Sequence, residues 1–184
     1  MKSIVLQQVT SKFARSNAGK TIEKPIALKY LQKHLPPDEF QEIESMCTEG
    51  KIYVWGAKAE RVHQFEKIDF RQSLVLFRRN SEVYKCGVIL QWVFNPYLAE
   101  CLWGFDSDNQ TWSLIYFLKD VKDFSVPASE INKLISRKPA DNWQSLTAIT
   151  SPTAEKVIAF VKSKLNELSK QTAQLGCAKQ RRTA

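Results

Sequence analysis

The side chains in this sequence best suited to holding a ligand are tryptophans, which stand at or near the ends of apolar, β-rich runs. Trp103 is followed by Gly104 and the polar segment 105–110, so a large flat ring is expected where a loop begins. Strands normally keep large aromatic rings on their apolar face, but a ring at the start of a loop can stack on another flat group. We therefore expect Trp103 to lie open and to grip such a group.

Catalytic and metal-binding patterns are absent from the sequence. It contains no glycine-rich phosphate loop and no G-x-S-x-G or H-E-x-x-H motif. Its two histidines lie far apart in the chain, and its four cysteines show no C-x-x-C spacing, which argues against zinc. Asp106 and Asp108 share a loop, but acidic pairs are common on loops. The sequence predicts a protein that is not an enzyme and that needs no cofactor or metal.

The formal charge of +8 and the isoelectric point near 9.3 favour an anionic partner. The charge is uneven, because residues 1–33 carry seven Lys and Arg against one acid, whereas residues 34–50 carry five acids and no Lys or Arg. A solvated surface with a basic tail explains this pattern equally well. Since the sequence has neither a signal peptide nor a run of about 18 apolar residues that could span a membrane, we expect a cytoplasmic protein without a membrane partner.

The elements that would position the tryptophans follow from the apolar periodicity. Runs rich in β-branched and aromatic residues predict strands at 51–55, 73–79, 83–92 and 111–119. Apolar residues at helical spacing predict helices at 26–34, from 38 to before Gly50, within 57–70, at 128–136 and from 151 to 168. Residues 1–20 fit a short helix or strand followed by a loop. This order lacks regular βαβ alternation and predicts an α+β fold with a mixed sheet and outer helices.

Several of these segments resemble the EVE and YTH domains of the PUA-like superfamily, which read modified nucleobases. The resemblance covers about residues 51–168 and rests on KIYVW with the following Gly56, SLVLFRR, YKCGVI and ECLWGFDSDNQTWSLIYFLKDV. It implies a curved mixed β-sheet or pseudo-barrel flanked by helices. It also implies an N-terminal helical extension at 1–50, a base-reading domain at 51–170 and a basic disordered tail or linker at 171–184.

In this family a flipped base is held in a cage of two or three aromatic rings. By the resemblance, Trp103 matches a cage tryptophan and Trp55 lies where a second one enters. Trp112 is a candidate for the third wall, although its place within an apolar predicted strand favours packing in the core. Weaker candidates for the same cage are Phe65, Trp92 and Asn95. The basic residues expected to hold phosphates are Lys58, Arg61, Arg78 and Arg79. Trp143 lies in a polar segment and is expected to be a packing anchor.

The resemblance implies non-catalytic recognition of a modified base in double-stranded DNA, with 6-methyladenine favoured over 5-methylcytosine. Similar prokaryotic domains precede McrB-type GTPases or nucleases, so a fused or associated effector of that kind is expected, within a restriction system. Two alternatives remain open. One is a modified-RNA reader of the YTH or PUA kind, and the other is a protein-interaction domain in which the tryptophans are core and the charge is solvated surface.

Overall fold

The computed structural model describes residues 2–47, 49–69, 73–144 and 146–180, with side chains up to residue 171. Its strands are β1 Ser3–Gln8, β2 Ile26–Ala27, β3 Lys51–Ala57, β4 Leu74–Arg79, β5 Glu82–Phe94, β6 Leu114–Pro127 and β7 Leu146–Thr150. Its helices are α1 Lys12–Thr21, α2 Leu28–Leu31, α3 Pro37–Ser45, α4 Val62–Phe65, α5 Pro96–Trp103, α6 Ala128–Leu134 and α7 Thr153–Gln180. A short 3₁₀ turn, Ala59–Arg61, precedes α4.

The strands of the described residues form one seven-stranded sheet in the order β2-β3-β6-β5-β4-β1-β7. Neighbouring strands run antiparallel except β1 and β4, which are parallel, so the sheet is mixed. The long pair β5 and β6 changes register repeatedly along its length. Such irregularities bend strands and increase their twist, which curves the sheet. The predicted α+β fold with a curved mixed sheet and flanking helices is confirmed.

The curvature brings together strands that are distant in the sheet order. One core cluster combines Val5 of β1, Trp55 of β3, Phe77 of β4 and Tyr116 of β6. The hydroxyl of Tyr116 donates a hydrogen bond to Oε1 of Gln7 on β1, at 3.2 Å, although β5 and β4 separate these two strands in the sheet. The ends of β1 and β3 therefore face each other across the concave side, where the candidate site lies.

The segment predicted as an N-terminal helical extension, 1–50, contains two strands of the sheet as well as the helices α1, α2 and α3. β1 is an inner strand that pairs with both β4 and β7, and β2 adds to the opposite edge beside β3. α7 continues into the segment predicted as a tail, as far as Gln180, and 181–184 lie outside the described residues. No helix in the described part of the chain is long and apolar enough to cross a membrane.

Candidate functional site

Three of the predicted site residues come together in one aromatic cluster. Trp55 lies on β3, Trp103 ends α5, and Trp112 precedes β6. Their ring centroids are separated by 6.4 Å for Trp55 and Trp103, 4.9 Å for Trp55 and Trp112, and 5.7 Å for Trp103 and Trp112. All three rings are therefore in mutual contact, and we call this group the tryptophan cluster.

Trp103 is buried, contrary to its expected exposure. Only 4% of the residue is accessible, and its Nε1 donates a hydrogen bond to Oγ1 of Thr21 on α1, at 3.2 Å. The reason lies in α5, whose buried face of Leu98, Ala99, Leu102 and Trp103 packs on the sheet. Gly104, with φ of +73°, ends the helix and starts the loop only after the ring is already covered. Trp55 is likewise buried, at 0%.

Gly56 holds the backbone of β3 directly against the tryptophan cluster. A Cβ atom at this position would lie 2.7 Å from Cζ3 of Trp103 and 2.8 Å from the carbonyl oxygen of Trp112. Real Cβ atoms do not approach other heavy atoms so closely. The absence of a side chain at Gly56 is therefore what allows Trp103 to pack beneath the strand.

Trp112 differs from its two neighbours because it is only half-buried and borders open space. It lines a cavity of about 410 Å³ at the facing ends of β1 and β3, which we call the Trp112 cleft. The groups of this cleft that carry most of its chemistry are Gln7, Gln8, Ser11, Lys58, Arg61 and Trp112. A second cavity of about 650 Å³ lies beside it and shares Ser11, Lys58 and Trp112. Phe13 packs edge-on against Trp112 there, with ring centroids 5.2 Å apart.

Polar groups from β1 and the start of α1 form one wall of the Trp112 cleft. Gln7 is fixed, because its Oε1 accepts from Tyr116 and its Nε2 donates to the carbonyl of Gln8 at 3.3 Å. Gln8 is half-buried beside it. Ser11 caps α1 by accepting a hydrogen bond from the amide of Ala14 at 3.0 Å. This wall offers amide and hydroxyl groups that can both donate and accept hydrogen bonds.

The cationic groups of the cleft are held differently from each other. Lys58 is paired with two carboxylates, at 2.7 Å from Asp106 and 3.3 Å from Asp108, and the hydrogen bond to Asp106 raises its pKa. Burial alone would raise the pKa of Asp106, but the hydrogen bonds it accepts from Lys58 and from the amides of Gln110 and Asp108 outweigh this and lower it. Lys58 therefore reaches an external anion only by competing with these carboxylates.

Arg61 makes weaker ionic contacts than Lys58 does. Its Nε lies 3.5 Å from a carboxylate oxygen of Glu60, its neighbour in the chain, and 30% of its side chain is exposed. That Nε is buried, and within the described residues no hydrogen-bond acceptor satisfies it. Because this ion pair is longer than the two that Lys58 makes, Arg61 is the cation of the cleft wall that would give up least to bind an added anion.

Arg78 and Arg79 do not line the cleft, and Arg78 is bonded within the fold. Arg78 is only 7% exposed and donates to the carbonyls of Asn80 and Asp141, at 2.6 and 2.8 Å, with its guanidinium 5.8 Å from the ring centre of Trp143. Arg79 pairs with Glu23 at 2.9 Å and lies over the ring of Tyr84. A structural role thus replaces the phosphate contact predicted for Arg78, because its donors are already buried and bonded.

The weaker cage candidates occupy structural positions. Phe65 is fully buried and packs against Trp92, with ring centroids 5.3 Å apart. Asn95 caps α5, since its Oδ1 accepts from the amide of Leu98 at 2.8 Å and its Nδ2 donates to the carbonyl of His34 at 2.9 Å. Trp143 is a buried packing anchor, as predicted, and its Nε1 donates to Oδ1 of Asn132 at 2.8 Å.

Sequence reasoning missed Gln7, Gln8 and Ser11, because strand β1 and helix α1 were not recognised as parts of the sheet and its rim. Ser11 carried a usable signal, since serine two residues before an apolar position is typical of a helix N-cap. The glutamines carried none. Among the described side chains, no group of three or more His, Cys, Asp and Glu residues could hold a metal ion.

Comparisons with known proteins identify the architecture. No protein-family model matches the chain, and no curated protein matches its sequence. A solved structure does match: the N-terminal domain of Thermococcus gammatolerans McrB bound to m5C DNA, with a TM-score of 0.65. The match covers 88% of this chain and 98% of that one, with 18% of residues identical. The two share a fold.

Proposed function

We propose that this chain is a non-catalytic module that recognises a modified base in double-stranded DNA and supplies the specificity of a cytoplasmic restriction system. Support comes from the fold it shares with a McrB domain that has been solved with m5C DNA. Further support comes from the tryptophan cluster beside the Trp112 cleft. The associated nuclease or GTPase effector belongs to the proposal as the partner that acts on the marked DNA.

The observation that carries the proposal is the position of Trp112. Its ring lines the cleft and contacts both Trp55 and Trp103 behind it. The cleft, at about 410 Å³, is within the size range of small-molecule sites, about 300–1,000 Å³. A base drawn out of a duplex loses a few kcal/mol of pairing and stacking, and one aromatic stacking contact returns about 1–3 kcal/mol. We propose that Trp112 provides this contact and that Trp55 and Trp103 hold its ring in place.

We further propose that the wall formed by Gln7, Gln8 and Ser11 reads the edge of the extruded base. A glutamine amide can pair with adenine through one donor and one acceptor, and it can also pair with the edge of a pyrimidine. The methyl group itself adds about 0.8 kcal/mol when removed from water, which gives a several-fold preference. The preference for 6-methyladenine stays a prediction, and 5-methylcytosine must be tested beside it because the McrB neighbour was solved with m5C DNA.

A binding panel of duplexes that differ only in modification tests the proposal. The intact chain should bind a duplex with one 6-methyladenine or one 5-methylcytosine at least several-fold more tightly than the plain duplex at the same salt concentration. Equal binding to modified and plain DNA would exclude the proposal and favour a protein-interaction domain. Tighter binding to the matched methylated RNA would transfer the proposal to RNA.

A further inference from the structure

An exposed aromatic side chain stands on a tightly held loop next to the Trp112 cleft. Phe105 follows the end of α5 and is 48% exposed. The next residue, Asp106, organises the loop, because its Oδ1 accepts from the amides of Asp108 and Gln110 at 2.9 and 3.0 Å. The amide of Asp106 donates to the carbonyl of Gln110 at 2.9 Å, which closes the turn. These bonds fix the backbone from which the Phe105 ring projects.

The same loop is tied to the cleft. Oδ2 of Asp106 pairs with Lys58 at 2.7 Å, and Lys58 is a wall residue of the Trp112 cleft. Phe105 lines an adjoining cavity of about 330 Å³, and Lys58 and Glu60 line both this cavity and the cleft. The exposed ring of Phe105 and the ring of Trp112 thus line two cavities that have Lys58 and Glu60 in common.

We propose that Phe105 is the wedge that enters the DNA base stack when the modified base moves into the Trp112 cleft. This inference rests on the proposed function. Extrusion of a base leaves an apolar gap between its former neighbours, and proteins that distort DNA commonly insert Phe, Leu, Ile, Met or Pro between base steps. Phe105 suits this task, because its ring is accessible and the loop that carries it is already ordered. Its insertion would bury apolar surface that now faces water.

The chain offers a matched control for this role. Phe94, the last residue of β5, is even more exposed at 60%. Among the described residues, it is not part of the walls of the Trp112 cleft or of the Phe105 cavity. A general apolar contribution to DNA binding would involve both phenylalanines, whereas a wedge would involve Phe105 alone.

The test compares Phe105→Ala, Phe105→Leu and Phe94→Ala on a modified duplex and on a single-stranded oligonucleotide with the same modified base. A single strand has no continuous stack with a gap to fill. Phe105→Ala should weaken binding to the modified duplex by about tenfold, the effect of one lost aromatic stacking contact, and should change single-strand binding by less than about twofold. Phe105→Leu should retain most of the duplex affinity because leucine also serves as a wedge. Phe94→Ala should match the wild type on both.

The outcomes separate the wedge from the proposed function. If the wild type distinguishes modified from plain duplexes but Phe105→Ala binds the modified duplex as tightly as the wild type, the wedge is excluded and the proposed function stands. Equal weakening on duplex and single strand would also exclude the wedge, since Phe105 would then contact the strand itself. A wild type that does not distinguish the duplexes overturns both proposals.

Discussion

At the level of single residues, burial separates Trp103 from Trp112, although their ring centroids are only 5.7 Å apart. Trp103 is 4% exposed within a cluster of apolar side chains, so its removal leaves a large cavity. Trp103→Ala should lower the free energy of unfolding by about 3–5 kcal/mol. Trp112→Ala should cost less stability, because Trp112 is only half-buried, and should weaken binding to modified DNA by about 1–3 kcal/mol.

Chemical denaturation measures the stability that each variant loses, and titration with modified DNA measures the binding that each variant loses. We expect the Trp103→Ala protein to be much less stable than the wild type. We expect the Trp112→Ala protein to stay folded but to discriminate poorly between modified and plain DNA. A folded, stable Trp103→Ala protein that has lost binding to modified DNA would reverse the roles, and Trp103 would then be the ring that meets the base.

The close packing at Gly56 predicts that even a single added methyl group destabilises the fold. A Cβ atom there would meet the ring of Trp103 at 2.7 Å and a backbone oxygen at 2.8 Å, and the backbone oxygen has little room to move. Gly56→Ala should therefore destabilise the fold by about 1–3 kcal/mol, the usual cost of overpacking. Gly19 is the control, because it lies on α1 with no atom within 4 Å of an added Cβ. Gly19→Ala should be neutral or stabilise by up to about 1 kcal/mol. Thermal melting should show a lowered melting temperature for Gly56→Ala and an unchanged or raised one for Gly19→Ala.

At the level of elements, the loop after α5 depends on the charge of Asp106. Its pKa is lowered in the folded state, so its contribution to stability is complete above the unfolded value of about 3.9 and is lost as the pH falls through the folded value. The pKa of Lys58 is raised, so its contribution is complete below about 10.4 and is lost as the pH rises through the folded value. The salt bridge between Asp106 and Lys58 should therefore hold across the pH range between these two limits.

The amide resonances of Asp108 and Gln110 report this loop, because both donate to Asp106. They should titrate together with a midpoint below about 3.9, the ordinary pKa of an aspartate. In Asp106→Asn the acid titration of the Gln110 amide should vanish, and the stability difference from the wild type should shrink as the pH falls. Asp108→Asn is the control, since Asp108 is 70% exposed and only its longer contact to Lys58 is lost. A midpoint at or above the ordinary value would show that the folded loop does not stabilise the charged form of Asp106.

Some of the strands and helices could be predicted from the sequence, and others could not. β3, β4, β5 and the first part of β6 were predictable because each is a run of apolar and β-branched residues. The polar continuation of β6 from Asp120 to Pro127 was not predicted. α5 was missed because its apolar sequence PYLAECLW continues the preceding strand, although Asn95 and Pro96 carry the signals of a helix start. Because α5 buries Trp103, missing this helix led to the wrong expectation that the Trp103 ring is exposed.

Long-range pairing set a different limit. β1 takes an inner position beside β4 and β7, yet no local pattern in residues 3–8 specifies partners that lie about 70 and 145 positions further along the chain. The Gln7 and Gln8 wall of the cleft therefore could not be foreseen. The expectation that Trp55, Trp103 and Trp112 lie together came from the family resemblance. Local periodicity alone does not predict it.

At the level of the whole molecule, the net charge of +8 is not spread evenly over possible DNA contacts. Arg78 and Arg79 are committed to internal carbonyls and to Glu23, and Lys58 is committed to two carboxylates. Arg61 lies on the cleft wall with a partly unsatisfied guanidinium. The cleft therefore depends on few available cations, and its salt dependence should be modest and should trace to identifiable residues.

Arg61→Gln tests this distribution of charge. If Arg61 neutralises one phosphate, its loss should reduce the magnitude of the slope of log K against log salt concentration by about 0.9 and weaken plain and modified duplexes alike. The ratio between modified and plain affinities should stay constant, because phosphate contacts carry no base information.

Arg78→Gln should instead lower the melting temperature and leave the salt slope of the remaining folded protein unchanged, since its guanidinium is bonded to Asn80 and Asp141. Binding titrations between 50 and 200 mM salt, roughly the range over which phosphate contacts change affinity most visibly, measure both slopes. An unchanged slope in Arg61→Gln would show that the DNA backbone runs elsewhere on the surface, even if the Trp112 cleft takes the base.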